Sequence, residues 1–142
     1  MEPYLHHYRI GDTYCEFRSD ILIPYEPFCG VMVVAPREAG RFTTIPPREN
    51  GGNIDIRHLT PGSRVFFPVL VPGTLFSCGD CYSAQGGGEV NGTGIETLMS
   101  VTLTFTLRKG ERTPELRFIT PPSKKLTISA AEFIQGVIPH TR

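Results

Sequence analysis

The sequence predicts one mainly β domain, sandwich-like, with a short helix at its C-terminal end. Three observations predict it. Residues 28–35 form a continuous apolar run, as in a strand buried on both faces. Residues 98–107 alternate Val101, Leu103, Phe105 and Leu107 with Ser100, Thr102, Thr104 and Thr106, so one face is apolar and the other carries hydroxyls. Finally, 15 glycines and 13 prolines among 142 residues favour many turns between short strands over long helices.

The remaining elements follow the same logic. Residues 64–71 are rich in strand formers, with Pro68 pushing them towards an edge or a bulge because proline cannot donate to a ladder. Gly110 ends the alternating segment. Residues 116–120 read as an antiparallel return, stopped by Pro121 and Pro122. Ser129 and Glu132 have the spacing of a capping box, and Phe133, Ile134 and Val137 then give a short apolar helix face closed by Pro139. Residues 37–53 are a proline- and glycine-rich connector, read as a structured surface loop. No repeat or low-complexity tract divides the chain, so residues 1–142 are expected to be a single domain with a proper core.

Composition narrows the class. Lys+Arg 14 against Asp+Glu 14 gives no net charge, hence no electrostatic footprint for nucleic acid or an anionic membrane. The longest apolar run, residues 31–35, is far short of the roughly 20 residues that a bilayer needs. The start of the chain lacks a basic region followed by an apolar stretch, so the expectation is a cytoplasmic protein. Its four cysteines, Cys15, Cys29, Cys78 and Cys81, are then expected as reduced thiols, and the sequon at Asn91 carries no meaning without secretion.

The chemistry concentrates in residues 71–96. A strand leads into Cys78-Gly-Asp-Cys81, then Tyr82, Ser83, Ala84 and Gln85, then Gly86, Gly87 and Gly88 before Glu89, with Glu96 further on. Glycines here let backbone N–H groups approach a ligand without a side chain in the way. This loop, with three segments before it, resembles the acetamidase/formamidase family of short-amide hydrolases. Residues 24–36 resemble its buried strand leading to a glycine, residues 46–59 its Gly-Gly-Asn-x-Asp element, and residues 68–76 the strand that delivers the loop. The resemblance runs over residues 20–120 in the family's order. It implies a mainly β amidase fold, a small amide substrate, and hydrolysis to a carboxylate and ammonia.

Two positions depart from the family loop. Tyr82 stands where the pattern has histidine, and Gly87 where it has a second aspartate. Family members are also about twice as long, which implies that a homo-oligomer or a partner chain supplies the missing N-terminal half.

The resemblance implies these roles. Glu89 is the expected general base and then acid, with Asp80 beside it as the other catalytic residue. The N–H groups of Gly86 to Gly88 are expected to hold the oxyanion, and Gln85 to bond the substrate amide. Asp80, Asn53 and Asp55 offer hard oxygen donors to a divalent metal, zinc or calcium. Each has a plainer alternative. Asp80, Asn53 and Asp55 suit turns, Glu89 and Glu96 suit solvated surface, and Tyr82 suits packing with its hydroxyl at the rim.

Other classes stay open. A catalytically degenerate family member could serve as a binding or assembly module. The Cys78/Cys81 pair could be a redox dithiol or half of a zinc site, although a glycine loop follows it rather than a helix. His6 and His7 read as a solvated terminus, and His58 as surface.

Overall fold

The computed structural model describes residues 4–123 and 127–129. Among these residues, ten strands make three small antiparallel sheets. β1 (Arg9–Ile10), β2 (Tyr14–Arg18) and β3 (Ile21–Pro24) form a meander at the N-terminal end. The central sheet has the order β5-β4-β7-β8, from β4 (Phe28–Val33), β5 (Gly51–Asn53), β7 (Ser77–Ala84) and β8 (Ile95–Glu96). The third sheet places β9 (Arg117–Ile119) between β6 (Arg64–Phe66) and β10 (Thr127–Ser129).

The fold is mainly β, as the sequence predicts. The apolar run becomes β4, which lies inside the central sheet and pairs with both β5 and β7. Phe28, Cys29, Gly30 and Met32 on it are buried. β5 approaches β4 through glycine: a Cβ on Gly51, whose φ is +94°, would lie 2.3 Å from the Met32 carbonyl oxygen. Buried Asn50 ties the end of β4, donating from Nδ2 to the Val34 carbonyl at 2.7 Å. Pro68 follows β6, which stops at Phe66, as expected where proline removes a donor.

The main core lies between the central and third sheets. Cys29 and Met32 of β4, Ile54, Ile56 and Leu59 after β5, and Leu116 and Phe118 around β9 form one buried cluster, with Val65, Phe67, Phe76 and Cys81 against it. A smaller cluster of Cys15, Ala84 and Ile95 joins the N-terminal meander to the far end of β7.

Two expectations need comment. The helix expected after Ser129 lies outside the described residues. Residues 98–107, expected as the clearest strand, form no ladder among the described residues, and their alternate apolar side chains face outwards. Leu98 is 99% exposed, and only Phe105 finds a ring partner, Phe76, at 5.1 Å. Alternation dictates which side chains share a face, but a strand also needs a partner backbone. The return segment takes β6 instead, pairing Phe118 with Val65. No helix among the described residues is long and apolar enough to cross a membrane.

Phe118 is 1% exposed at the centre of the main cluster. Phe118→Ala is expected to cost about 3–5 kcal/mol through lost burial and an unfilled cavity. A urea unfolding midpoint unchanged from the parent protein would contradict that placement.

Candidate functional site

The site is assembled on β4, just after β5, and on β7 with its following loop. The Gly30 carbonyl accepts hydrogen bonds from both Ile54 N (2.9 Å) and Asp55 N (3.1 Å). This pair turns the chain off β5 and sets Asp55 over Gly30. Across β4, the ladder pairs Cys29 with Cys81 and Val31 with Gly79, which brings Asp80 beside Gly30. A Cβ on Gly30 would lie 2.5 Å from Asp55 Oδ1, 2.6 Å from a Tyr82 ring carbon and 2.9 Å from the Asp80 carbonyl oxygen. Only glycine admits all three neighbours.

The backbone at the carboxylates is strained. Asp55, Asp80 and Glu89 have φ of 41°, 54° and 43°, in the left-handed region, and the only other non-glycine residues there among those described are Thr74 and Leu75. Each such residue costs about 1–2 kcal/mol. Strain of this kind gathers where surrounding structure imposes a functional geometry. Glu89 is further held by a turn, its carbonyl accepting from Gly92 N at 2.7 Å.

Tyr82 fills the middle. Its ring is 4% exposed and stacks on Phe28 with centroids 4.9 Å apart and planes 4° from parallel. Gly94 presses on the other side, where a Cβ would lie 2.7 Å from the ring. The hydroxyl is close enough to Asp55 and Glu89 to affect protonation, yet Asp55 Oδ1 and Glu89 Oε1 are buried with no hydrogen-bond partner. Asn53 donates from Nδ2 to the other Asp55 oxygen.

The electrostatics follow from this crowding of acids. Burial, then the charges of Glu89 and Asp80, push the Asp55 carboxyl up to about 6. Burial and the charges of Glu96 and Glu89 also raise Asp80. Tyr82 is raised by burial and then by Asp55, Asp80 and Glu89, so its phenol stays protonated across the physiological range. A buried acid among other acids can hold its proton near neutral pH, the condition for proton transfer there.

Among the sequence-predicted residues, Asn53, Asp55, Asp80 and Glu89 are brought together. Gln85 is half-buried at the end of β7, and its carbonyl accepts from Arg57 Nη1 at 3.3 Å. Gly86, Gly87 and Gly88 are exposed, with open space where a side chain would project. Glu96 accepts from the Thr93 hydroxyl at 2.8 Å. His6 binds the Phe17 carbonyl through Nε2 at 3.0 Å, in the N-terminal meander. A separate cleft lined by Phe42, Arg48, Asn50, Leu75 and Ser77 contains none of the carboxylates. Among the described residues, no three His, Cys, Asp or Glu side chains close into a group that could hold a metal.

Sequence reasoning missed two residues. Tyr82 is expected to pack with its hydroxyl at the rim, and it does pack, but among the carboxylates, while Gly30 is read only as the glycine of a buried strand and not as part of the site. The signal for Tyr82 was its offset of two from Asp80 on a strand, which puts both on one face.

The model of the Acetamidase/Formamidase family matches residues 23–133. The chain belongs to this family. An acetamidase of Mycolicibacterium smegmatis is 57% identical over 68 residues, covering 47% of this chain and 17% of that enzyme. The solved structure of a predicted acetamidase/formamidase from Thermoanaerobacter tengcongensis aligns with a TM-score of 0.66 and 30% identity, over 80% of this chain and 37% of that one. An acetamidase from Yersinia enterocolitica shares the fold at a TM-score of 0.68 and 22% identity, over 94% of this chain and 43% of that one. The chain spans less than half the length of these relatives.

Membership sharpens the two departures from the loop pattern. Gly87 lies in open space without a positive φ, so an aspartate would fit there. Tyr82 is hemmed in by Phe28, Gly30 and Gly94.

The Asp55 shift has a definite sign. A carboxyl raised in the folded state binds its proton more tightly there, so its contribution favours folding at low pH. That contribution is lost as pH rises from about 4, the unfolded value, through the folded one. Carboxyl-carbon NMR is expected to show Asp55 titrating near 6. In Glu89→Gln that titration is expected to move down, because one repelling charge is gone. An Asp55 titration in the ordinary carboxylate range would remove it from the buried cluster.

Proposed function

We propose that this chain carries the acidic part of a site hydrolysing the carbon–nitrogen bond of short linear amides such as formamide and acetamide. One observation carries the reading: Asp55, Asp80 and Glu89 converge on buried Tyr82, with Asp55 Oδ1 and Glu89 Oε1 buried and unpartnered. Such oxygens are costly to maintain unless a ligand or water completes them. Membership of the Acetamidase/Formamidase family supports amide chemistry at this place.

The division of labour follows from the protonation states. Glu89 takes a proton from water as the water oxygen attacks the carbonyl carbon. Asp55, which keeps its proton up to about pH 6, delivers one to the nitrogen so that ammonia departs. Asp80 orients the water, and Gln85 binds the substrate amide. The N–H groups of Gly86 to Gly88, on an exposed turn, face the oxygen on which negative charge develops. Tyr82 donates towards whichever carboxylate is ionised. A substrate this small brings little remote binding energy, so rate must come from positioning.

Asp55 and Asp80 carry oxygens suited to zinc or calcium. The donor set is nevertheless open. Asn53 Nδ2 occupies one Asp55 oxygen, and no three-ligand group forms among the described residues. Completing it takes a ligand from elsewhere, and a metal bound there would polarise the carbonyl or activate the water.

Ammonia release from formamide and acetamide, followed with and without EDTA, tests the reading. Glu89→Gln is expected to lower turnover by about 10²–10⁴-fold with the fold intact. Turnover retained in that variant would remove Glu89 from the mechanism. Loss of activity in EDTA would establish metal assistance, and indifference to EDTA would leave the carboxylates acting alone.

A second reading, that the site is completed by another chain or a second copy, is favoured by residues 98–107. Their apolar row is exposed among the described residues, and the segment from Thr97 to Leu107 bears no charge to deter pairing. Light scattering is expected to show self-association that Phe105→Lys abolishes. A monomer at every concentration would count against assembly by like copies.

A further inference from the structure

Two thiols face each other across the central sheet, next to the carboxylates. Cys29 of β4 and Cys81 of β7 are register partners, and their Sγ atoms lie 3.7 Å apart. Opposed residues on antiparallel strands have Cα atoms about 4.5–5.5 Å apart, within the roughly 4.4–6.8 Å that a disulfide bridges. Side-chain rotation that closes the sulfurs by less than about 2 Å is enough to reach bonding distance. Both are free thiols, Cys29 buried and Cys81 half-buried. Cys78, exposed on the same strand, lies close enough to influence Cys29, but its ladder partner is Met32. A metal-thiolate centre is not what this cluster builds, because no three-ligand group forms among the described residues.

We propose that Cys29 and Cys81 form a reversible cross-strand disulfide, an oxidation site that staples β4 to β7 beside the carboxylate cluster. The oxidant is a peroxide. The Cys81 sulfur attacks one oxygen of hydrogen peroxide, the O–O bond breaks, and sulfenic acid and water result. The Cys29 sulfur then attacks the Cys81 sulfur and the S–O bond breaks. The leaving hydroxide takes the Cys29 proton as a second water. In sum, two thiols and one peroxide give one disulfide and two waters.

The environments suit these roles. Burial, then the neighbouring Cys81 and Cys78 thiols, push Cys29 up to about 12, so it waits as a neutral thiol inside the core. It meets no oxidant itself but stands next to the sulfur that does. The geometry also predicts a consequence. Cys81 lies between Asp80 and Tyr82, and Cys29 between Phe28 and Gly30. A bond between them draws the strands together where Gly30 already touches Asp55, Asp80 and Tyr82.

The inference stands apart from amide hydrolysis, because its readout is a covalent link. The purified chain is treated with hydrogen peroxide, its thiols are counted under denaturing conditions, and its peptides are mapped without reduction. Two of the four cysteines are expected to lose their thiols, and dithiothreitol to restore them. The map is expected to join the Cys29 peptide to the one holding Cys78 and Cys81. Because these two share a peptide, Cys78→Ser must keep the link and Cys81→Ser must lose it. Cys15→Ser is expected to behave as the parent. A bridge through Cys78, a link between chains, sulfinic acid at Cys81 without a bridge, or four surviving thiols would each overturn the proposal.

Discussion

At Gly30 three parts of the chain meet with no room for a methyl group. Its carbonyl holds the turn that ends β5, its Cα lies under the Asp55 carboxylate and the Tyr82 ring, and its neighbour across the ladder is Asp80. Buried strands ordinarily use bulky apolar side chains for packing, and β4 does so on either side of Gly30, with Phe28, Val31 and Met32. At one position it gives up that packing, at a cost of roughly 0.5–1 kcal/mol in chain entropy for glycine within a strand. What it gains is proximity. Groups from β5 and β7 come within van der Waals distance over a shared backbone, which no side chain at residue 30 would permit.

That proximity sets the electrostatics. Three acids and a phenol sit together, whereas ion pairs such as Arg18 with Asp20 and Arg108 with Glu111 lie at the surface. Left to themselves, like charges in a poorly solvated place would push the elements apart. They are held because the opposite face of the same strands contributes to the main core, through Cys29 and Cys81. Burial of that face stabilises an arrangement that the acidic face opposes, and the left-handed φ values at Asp55, Asp80 and Glu89 are the local record of it. The site is thus strained in both backbone and charge.

How much of this was legible depends on which interaction decides each part. The β4 strand was plain because a run of apolar residues has few alternatives. The acidic cluster was half legible: Glu89, Asp80, Asn53 and Asp55 stood out in glycine-rich surroundings, but nothing in one chain says which loops fold onto which strand. Residues 98–107 show the opposite failure. Their period of two is the cleanest in the sequence, and still no strand among the described residues joins them, because period reports a face while pairing depends on a partner. Cys29 and Cys81 lie 52 residues apart, and only the β4–β7 register makes them neighbours.

Tyr82 changes what this loop can do more than its loss of a histidine suggests. Imidazole exchanges protons near neutral pH and binds metals, whereas a phenol raised by burial and by three carboxylates does neither. Towards the carboxylates it can only donate a hydrogen bond. The exchangeable proton must then belong to the carboxylates, and burial with repulsion leaves it on Asp55 until pH approaches 6. A rigid donor between two acids favours the state in which one is ionised and the other protonated, because a single hydroxyl stabilises one negative oxygen at a time. The ring, clamped by Phe28 and Gly94, holds that donor still. A tyrosine here therefore gives the loop a fixed hydrogen-bond donor that stays protonated, and the packing that excludes water from Tyr82 keeps it so.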